Sequence, residues 1–343
     1  MTVKAFISGC EGLRLLPEEL AFFEEQQPWG LILFKRNCET PDQVRALTAA
    51  FRAAVGRADA PVLIDQEGGR VRRLQPPAWP DYPAGGRIGM LAGADPDRGI
   101  RAAWLHGRLV ASDLIQIGIT IDCLPLLDVI TPDASDAIGD RSLGGDPGTV
   151  AILGRAMADG LAAGGVCPVI KHIPGQGRAR SDSHFGLPVV EAGLDELAEH
   201  DFAPFVALAD LPAAMTSHVV YSAIDPDRPA TTSAVVIRDI IRERIGFDGL
   251  LMSDDISMKA LSGDYGERTA TIHDAGCDLV LHCNGRIEEM RAVADAAPRL
   301  AGISGERASR LFEYLRPPRP FDAVAGREEY LGLMADAGWP ARV

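Results

Sequence analysis

No segment of this chain approaches the roughly 20 consecutive apolar residues that a membrane-spanning helix requires, so no membrane association is expected. The opening MTVKAFISGCEG lacks an apolar run of signal-peptide length and a small-residue cleavage site. Basic residues are the minority, 34 Lys and Arg against 48 Asp and Glu, for a formal net charge of -14. A phosphate backbone needs a basic face, so nucleic acid is not an expected partner. A few arginines could still make a locally positive pocket for an anionic small ligand. The cysteines at Cys10, Cys38, Cys123, Cys167, Cys277 and Cys283 form no CxxC pair and no zinc-ligand spacing. Several lie in apolar runs, where Cys behaves as a small hydrophobe. The simplest reading is a reduced, cytoplasmic protein. A phosphate-binding glycine loop is missing too, because Ser8-Gly9-Cys10-Glu11-Gly12 does not match GxGxxG.

What is present is an alternation of short apolar runs and longer amphipathic segments. With 47% apolar residues over 343 positions, the chain can fill a large core. Strand-like runs are Ala5 to Gly9, Gly30 to Phe34, Pro61 to Asp65, Ile119 to Val129, Cys167 to His172, Ala213 to Val219, Gly249 to Asp254 and Leu279 to Asn284. Most are continuously apolar, as buried parallel strands should be. Helical patterns lie between them, including Thr40 to Val55, which opens on Thr-Pro-Asp, and Gly148 to Ala163, with Leu153, Met157 and Leu161 on one face. Eight strand-then-helix repeats predict an α/β fold, a single-domain (β/α)8 barrel over 1–315. An open doubly wound sheet is the alternative, disfavoured by the missing glycine loop. Residues 316–343 have no strand pattern and read as an appendage packed on the barrel.

In such a barrel the active site lies at the C-terminal ends of the strands. Polar residues gather there in this sequence: Asp65-Gln66-Glu67-Gly68-Gly69-Arg70, Asp128, Lys171-His172, Ser217-His218 and Ser253-Asp254-Asp255. The fifth run is followed by a long turn-rich loop, Pro174 to Pro188, which carries Asp182-Ser183-His184. A carboxylate two residues before a His can accept its ring N–H and raise its basicity. A solvated loop His is the plain alternative. The loop from Gly175 to Gly186 is expected to be more mobile than the barrel. A metal is not expected, since barrel metallohydrolases usually carry HxH after the first strand and Phe6-Ile7-Ser8 has none.

The stretches GLILFKRN, IDQEGGRVRRL, IGDRSLGGDP, KHIPGQG, DSHFGLP and GFDGLLMSDDISMKA run in order from about Gly30 to Leu261. Together they resemble glycoside hydrolase family three, in its bacterial β-N-acetylhexosaminidase branch. The resemblance implies Asp254 as nucleophile and His184 as general acid/base, supported by Asp182. It implies Asp65 on the sugar hydroxyls, with Arg73, Arg141, Lys171 and His172 completing the substrate pocket. It further implies no cofactor and removal of N-acetylglucosamine from 1,6-anhydro-N-acetylmuramyl peptides by a cytoplasmic enzyme, expected to be monomeric. The chain departs from the family in having Gln176 where His is usual, and Arg178-Ala179-Arg180-Ser181 where acidic or Thr-rich residues are usual.

Retaining hydrolysis needs a carboxylate nucleophile on one face of the anomeric carbon and an acid near the departing oxygen, about 5 Å away. An imidazole in the second role would not repel an anionic substrate as a carboxylate would. Lys171 and Arg141 would hold Asp254 ionised if they lay beside it. Neighbouring strand residues point to opposite faces, so Asp255 should point away or cap the next turn. His218 could line the pocket or be structural; His106, His200 and His273 lie on helical segments and read as surface groups. Gly68 and Gly69 could form a tight turn or let the backbone approach a sugar. Arg70 reads as more structural than Arg73, Glu67 as an arginine partner that holds the loop, and Asp128 as an orienting group. Two other readings remain open: a phosphorylase on the same substrates, and a catalytically silent muropeptide-binding barrel.

Overall fold

Each apolar run becomes a strand, and the strands pair in parallel. They are β1 (Lys4–Ser8), β2 (Pro28–Leu33), β3 (Val62–Ile64), β4 (Ile121–Asp122), β5 in two pieces (Cys167–Pro168 and Ile170–Ile173), β6 (Ala213–Thr216), β7 (Leu250–Asp255) and β8 (Leu279–His282). The structure is a computed structural model that describes residues 3–181 and 186–339. The hydrogen-bonded order runs from the first piece of β5 through β4, β3, β2, β1, β8, β7 and β6 to its second piece. Only Val169 separates the two pieces, so the sheet meets itself and the expected α/β barrel is formed.

The fourth run pairs over a shorter stretch than its pattern predicts, Ile121–Asp122 only. Pro125 has no N–H to give to a ladder. The chain beyond it still lies along β5: Leu127 N–H donates to Lys171 O at 2.7 Å, and Lys171 N–H donates to Pro125 O at 3.2 Å.

Alternation along the strands separates two apolar layers. Ala5, Ile7, Ile32, Leu63, Ile121, Val169, Met215 and Met252 share the barrel interior. Phe6, Leu31, Leu33, Val62 and Ile64 join the layer shared with the surrounding helices. Ala308 and Leu311, from the helix Gly302–Phe312, belong to the interior cluster. That helix follows a segment tied to the start of β1, where Leu300 N–H donates to Val3 O at 2.9 Å. The N-terminal mouth is therefore plugged with apolar side chains, and polar chemistry is left to the other rim.

The helices begin where the local signals place them. Thr40 accepts from Gln43 N–H and caps Pro41–Ala54, and Asp146 accepts from Thr149 N–H and caps Pro147–Ala163. Leu153, Met157 and Leu161 are buried as their spacing predicts. Among the described residues no helix is long and apolar enough to cross a membrane.

Helix Pro96–Ile115 is packed on two sides. One side meets Pro147–Ala163 through glycines: a Cβ on Gly107 would lie 2.1 Å from Met157 O, and one on Gly160 would lie 2.2 Å from Trp104 O. The other side meets the C-terminal helix Ala323–Asp336, which buries Tyr330 and Met334. This sandwich overturns the surface reading of His106, which is fully buried. His106 Nδ1 lies 2.8 Å from Tyr330 Oη, and Nε2 lies 2.9 Å from the Glu67 carbonyl oxygen. Burial pushes its pKa down to about 4, against the pull of the Glu67 carbonyl, so the ring is neutral near pH 7. His200 and His273 are half-buried, beside Asp201 and the Cys277 carbonyl.

The Gly160 contact makes a signed prediction. Helix propensity alone favours Ala over Gly by about 1 kcal/mol, whereas forcing a methyl into a filled contact costs about 1–3 kcal/mol. A backbone oxygen cannot swing aside, so packing should win. Gly160→Ala should lower the urea unfolding free energy, by up to about 2 kcal/mol net. An unchanged or higher unfolding midpoint would show that these helices do not meet backbone to backbone.

Candidate active site

The C-terminal rim is organised by a buried ion cluster built from β3, β5 and the loops that follow them. Lys171, on β5, is 1% exposed. Its Nζ donates to Asp65 Oδ1 at 2.7 Å and pairs with Glu67 Oε1 at 2.6 Å. Arg141 takes Glu67 in a two-pronged pair, Nε to Oε2 at 2.9 Å and a terminal nitrogen to Oε1 at 2.8 Å. Arg73 completes the set on Asp65 Oδ2 at 2.9 Å. Burial alone would raise both carboxyls. The Arg141 and Lys171 cations outweigh it and bring Glu67 down to about 2, while Lys171 and Arg73 bring Asp65 far below the usual carboxylate range.

The loop that carries these groups is locked by its own side chains. Gln66 Oε1 accepts from the backbone N–H groups of Arg73 and Leu74 at 2.9 and 3.0 Å. Gln66 N–H donates to Asp122 Oδ1 at 2.9 Å, and burial pushes the Asp122 carboxyl up to about 8. Gly68 and Gly69 have positive φ, and a Cβ on Gly68 would strike Pro83 O at 2.2 Å. Their role here is the tight turn packed on the segment 82–84. Arg70 bonds Asp140 and the carbonyls of Ala137 and Ile138, in line with its structural reading, although it also lines the cavity.

His172 is oriented by Asp128, as anticipated. Asp128 Oδ2 lies 2.7 Å from His172 Nδ1, and Asp128 Oδ1 accepts from Gln176 N–H at 2.6 Å. That contact leaves His172 Nε2 for the cavity, which the residue lines. At the end of β7, Asp254 accepts from Asp255 N–H through Oδ1 at 2.7 Å. No other hydrogen bond to Asp254 is formed among the described residues. Asp255 caps the next turn, accepting from Ser257 N–H at 3.0 Å, one of the two outcomes anticipated for it. His218 is structural: it is fully buried, with Nδ1 2.7 Å from Thr231 Oγ1 and Nε2 3.0 Å from Asp255 O.

Asp65, Arg73, Arg141, His172, Gln176 and Asp254 line one cavity of about 490 Å3. Lys171 lies behind it, bonded to the carboxylates. Among the described residues Lys171 and Arg141 form no pair with Asp254, so the anticipated direct hold on that carboxylate is replaced by a hold on Asp65 and Glu67. Apolar walls come from Phe34, Met215, Met258 and Leu281, which the sequence reading did not single out. Phe34 stands between two cations, with the Arg36 and Arg73 guanidiniums 5.0 and 4.9 Å from its ring centre. Its position at the end of the second apolar run was the available signal. Asp182 and His184 lie outside the described residues, as does the centre of the loop expected to be mobile. No cluster able to hold a metal is found among the described residues.

A parallel (β/α)8 barrel whose C-terminal rim gathers carboxylates and cations around a pocket of this size defines a barrel enzyme for a small polar substrate. The chain matches the glycosyl hydrolase family 3 N-terminal domain over residues 17–307 and belongs to glycosyl hydrolase family 3. A β-hexosaminidase from Methylococcus capsulatus is 39% identical over 307 residues, covering 86% of this chain and 90% of its own. Another, from Alkalilimnicola ehrlichii, is 36% identical over 315 residues, covering 91% and 89%. The structure of NagZ from Neisseria gonorrhoeae in complex with N-trifluoroacetyl-D-glucosamine matches with a TM-score of 0.85 at 31% identity, over 98% of both chains. The chain is thus a glycosidase of the β-hexosaminidase type.

Glu67 gives the sharpest test of the ion cluster. Glu67→Gln would leave Arg141 without its carboxylate and Lys171 with one partner in place of two. Breaking a buried pair in this way typically costs about 3–5 kcal/mol. Since the folded pKa of Glu67 lies below its unfolded value, its contribution is full above about pH 4.5 and is lost as pH falls towards 2. Denaturant unfolding at pH 7 should show the variant several kcal/mol weaker, with the gap to wild type narrowing steadily between pH 4.5 and 3. A gap that is absent at pH 7, or that widens in acid, would contradict the cluster.

Proposed function

We propose that the protein removes terminal non-reducing β-N-acetylglucosamine from its substrate by a retaining, double-displacement hydrolysis. Asp254 is the nucleophile, His184 the general acid/base and Asp182 the group that holds His184 in its tautomer. The observation that carries this reading is the setting of Asp254. It lies next to the last residue of a largely buried strand, has one oxygen steadied by a backbone N–H, and lines the cavity shared with Asp65 and Arg73. A carboxylate held this way is positioned without being neutralised by a cation.

In the first step the Asp254 oxygen bonds to the anomeric carbon as the glycosidic C–O bond breaks, and His184 gives its proton to the departing oxygen. In the second, His184 takes a proton from water, the water oxygen bonds to the anomeric carbon, and the Asp254–carbon bond breaks. Asp65 and Arg73 engage the ring hydroxyls, and Arg141, Lys171 and His172 complete the pocket. The natural substrate we assign is a 1,6-anhydro-N-acetylmuramyl peptide, cleaved in the cytoplasm during cell-wall recycling. Its carboxylates suit a His acid/base better than a second carboxylate.

Asp254→Asn is nearly isosteric but a far poorer nucleophile. The folded variant should retain less than about a hundredth of the wild-type rate on an aryl N-acetylglucosaminide, near the low end of what acid–base help alone supplies. A rate above that would place the nucleophile elsewhere.

His184→Ala separates the two roles of the imidazole. A nitrophenyl group leaves without protonation, whereas a sugar does not. The variant should lose rate steeply on a disaccharide, by about 10²-fold to 10⁴-fold, and much less on the nitrophenyl substrate. With the latter, a covalent sugar adduct should accumulate on Asp254, visible by mass spectrometry, and azide should speed turnover. Equal losses on both substrates, no adduct and no azide effect would move the acid/base role to another group, with His172 first in line.

A further inference from the structure

The C-terminal helix Ala323–Asp336 lies outside the ring of barrel strands, yet one of its side chains reaches the hub of the active site through a single intermediary. The Tyr330 hydroxyl meets His106 Nδ1, and His106 Nε2 meets the main-chain carbonyl of Glu67, the residue whose carboxylate holds Arg141 and Lys171. All three residues are buried, at 1%, 0% and 5% exposure. A carbonyl oxygen can only accept, so Nε2 must carry the proton. A neutral imidazole then has a lone pair on Nδ1, and the tyrosine O–H must donate to it. The direction of both bonds is therefore fixed: the Glu67 carbonyl sets the tautomer, and the tyrosine O–H satisfies the lone pair that this leaves on the buried Nδ1.

The same helix holds this region at a second point. Arg327 donates to the Tyr82 hydroxyl at 3.0 Å and to Asp113 at 3.3 Å, and the Tyr82 carbonyl accepts from Gly69 N–H at 2.8 Å. The turn 67–69 is thus gripped through Glu67 and through Gly69. Arg101 and Glu329 join the helix to Pro96–Ile115 with two bonds of 2.7 Å on the surface, but exposed pairs of this kind contribute little. The buried relay is the specific link.

We propose that His106, held through Nδ1 by Tyr330 on the C-terminal helix, is a positioning residue for the substrate pocket: it fixes the Glu67 backbone and thereby the Asp65, Arg73 and Arg141 groups that receive the sugar. This rests on the N-acetylglucosaminidase reading given above. His106 touches no reacting atom, so its loss should loosen substrate capture more than it slows the chemical step.

The test compares Tyr330→Phe and His106→Leu with Met334→Ala, which removes buried packing from the same helix without touching the relay. On an aryl N-acetylglucosaminide, the first two should raise KM roughly tenfold, the scale of one lost hydrogen bond to a buried group, with kcat changed less than about threefold. His106→Gln, which keeps a side-chain N–H donor, should recover part of that loss. Met334→Ala should lower Tm and leave KM unchanged. Hydrogen exchange of the 65–74 segment should quicken in Tyr330→Phe and His106→Leu and stay at the wild-type rate in Met334→Ala. Tyr330→Phe is nearly isosteric, so it decides the matter if His106→Leu does not fold. A KM and an exchange rate in Tyr330→Phe that match Met334→Ala would overturn the proposal. Should the wild type cleave no N-acetylglucosaminide, the functional reading falls, and hydrogen exchange still decides whether the helix holds the pocket turn.

Discussion

Lys171 stands inside the barrel mouth with its ammonium between the carboxylates of Asp65 and Glu67, and the rest of the rim is arranged around that contact. An ammonium taken out of water is costly unless its partners are close and well aligned. The barrel supplies this by placing Lys171 at the end of β5 and the two acids just past the end of β3. Arg141 and Arg73 then close the set, so three cations face two carboxylates. Such an arrangement tolerates little movement, since shifting one member leaves another buried and unpaired. The gain is geometric. Arg73, Arg141 and Asp65 are presented to the cavity by partners that cannot relax.

The proposed nucleophile is held differently. Asp254 is kept apart from the cations and steadied by a main-chain N–H at the end of a six-residue strand. His218 supports that strand end from behind by bonding the Asp255 carbonyl, and Asp255 caps the following turn at the edge of the cavity. One side of the pocket is thus a charged, tightly paired cluster, and the other presents a carboxylate steadied through one oxygen. That division suits a mechanism in which one group must form and break a covalent bond while the others hold still.

Much of this was legible in the residues because parallel strands buried on both faces leave long apolar runs, and the polar residue that ends each run marks the rim. Asp65, Lys171, His172 and Asp254 were all found this way. The fourth run misled in length, because a proline inside an apolar stretch ends the ladder without ending the apolar pattern. His106 misled in kind. It was read as a surface group on a helical segment, but a second helix from the chain terminus covers it, and no local periodicity reports a partner more than two hundred residues away. The run Trp104-Leu105-His106-Gly107-Arg108-Leu109-Val110 held the clue, since its apolar residues encircle the helix. Glu67 was read as an arginine partner that holds the loop, which Arg141 bears out; its second cation, Lys171, was missed because it lies far along the chain.

In the proposed mechanism Asp254 meets the anomeric carbon while Asp65 and Arg73 hold the ring. A crystal structure of the protein soaked with N-acetylglucosamine tests this most directly. The account predicts the anomeric carbon facing the Asp254 carboxylate, with Asp65 and Arg73 within hydrogen-bond reach of the hydroxyls. A sugar bound in this cavity with its anomeric carbon turned away from Asp254, or held by neither Asp65 nor Arg73, would contradict it.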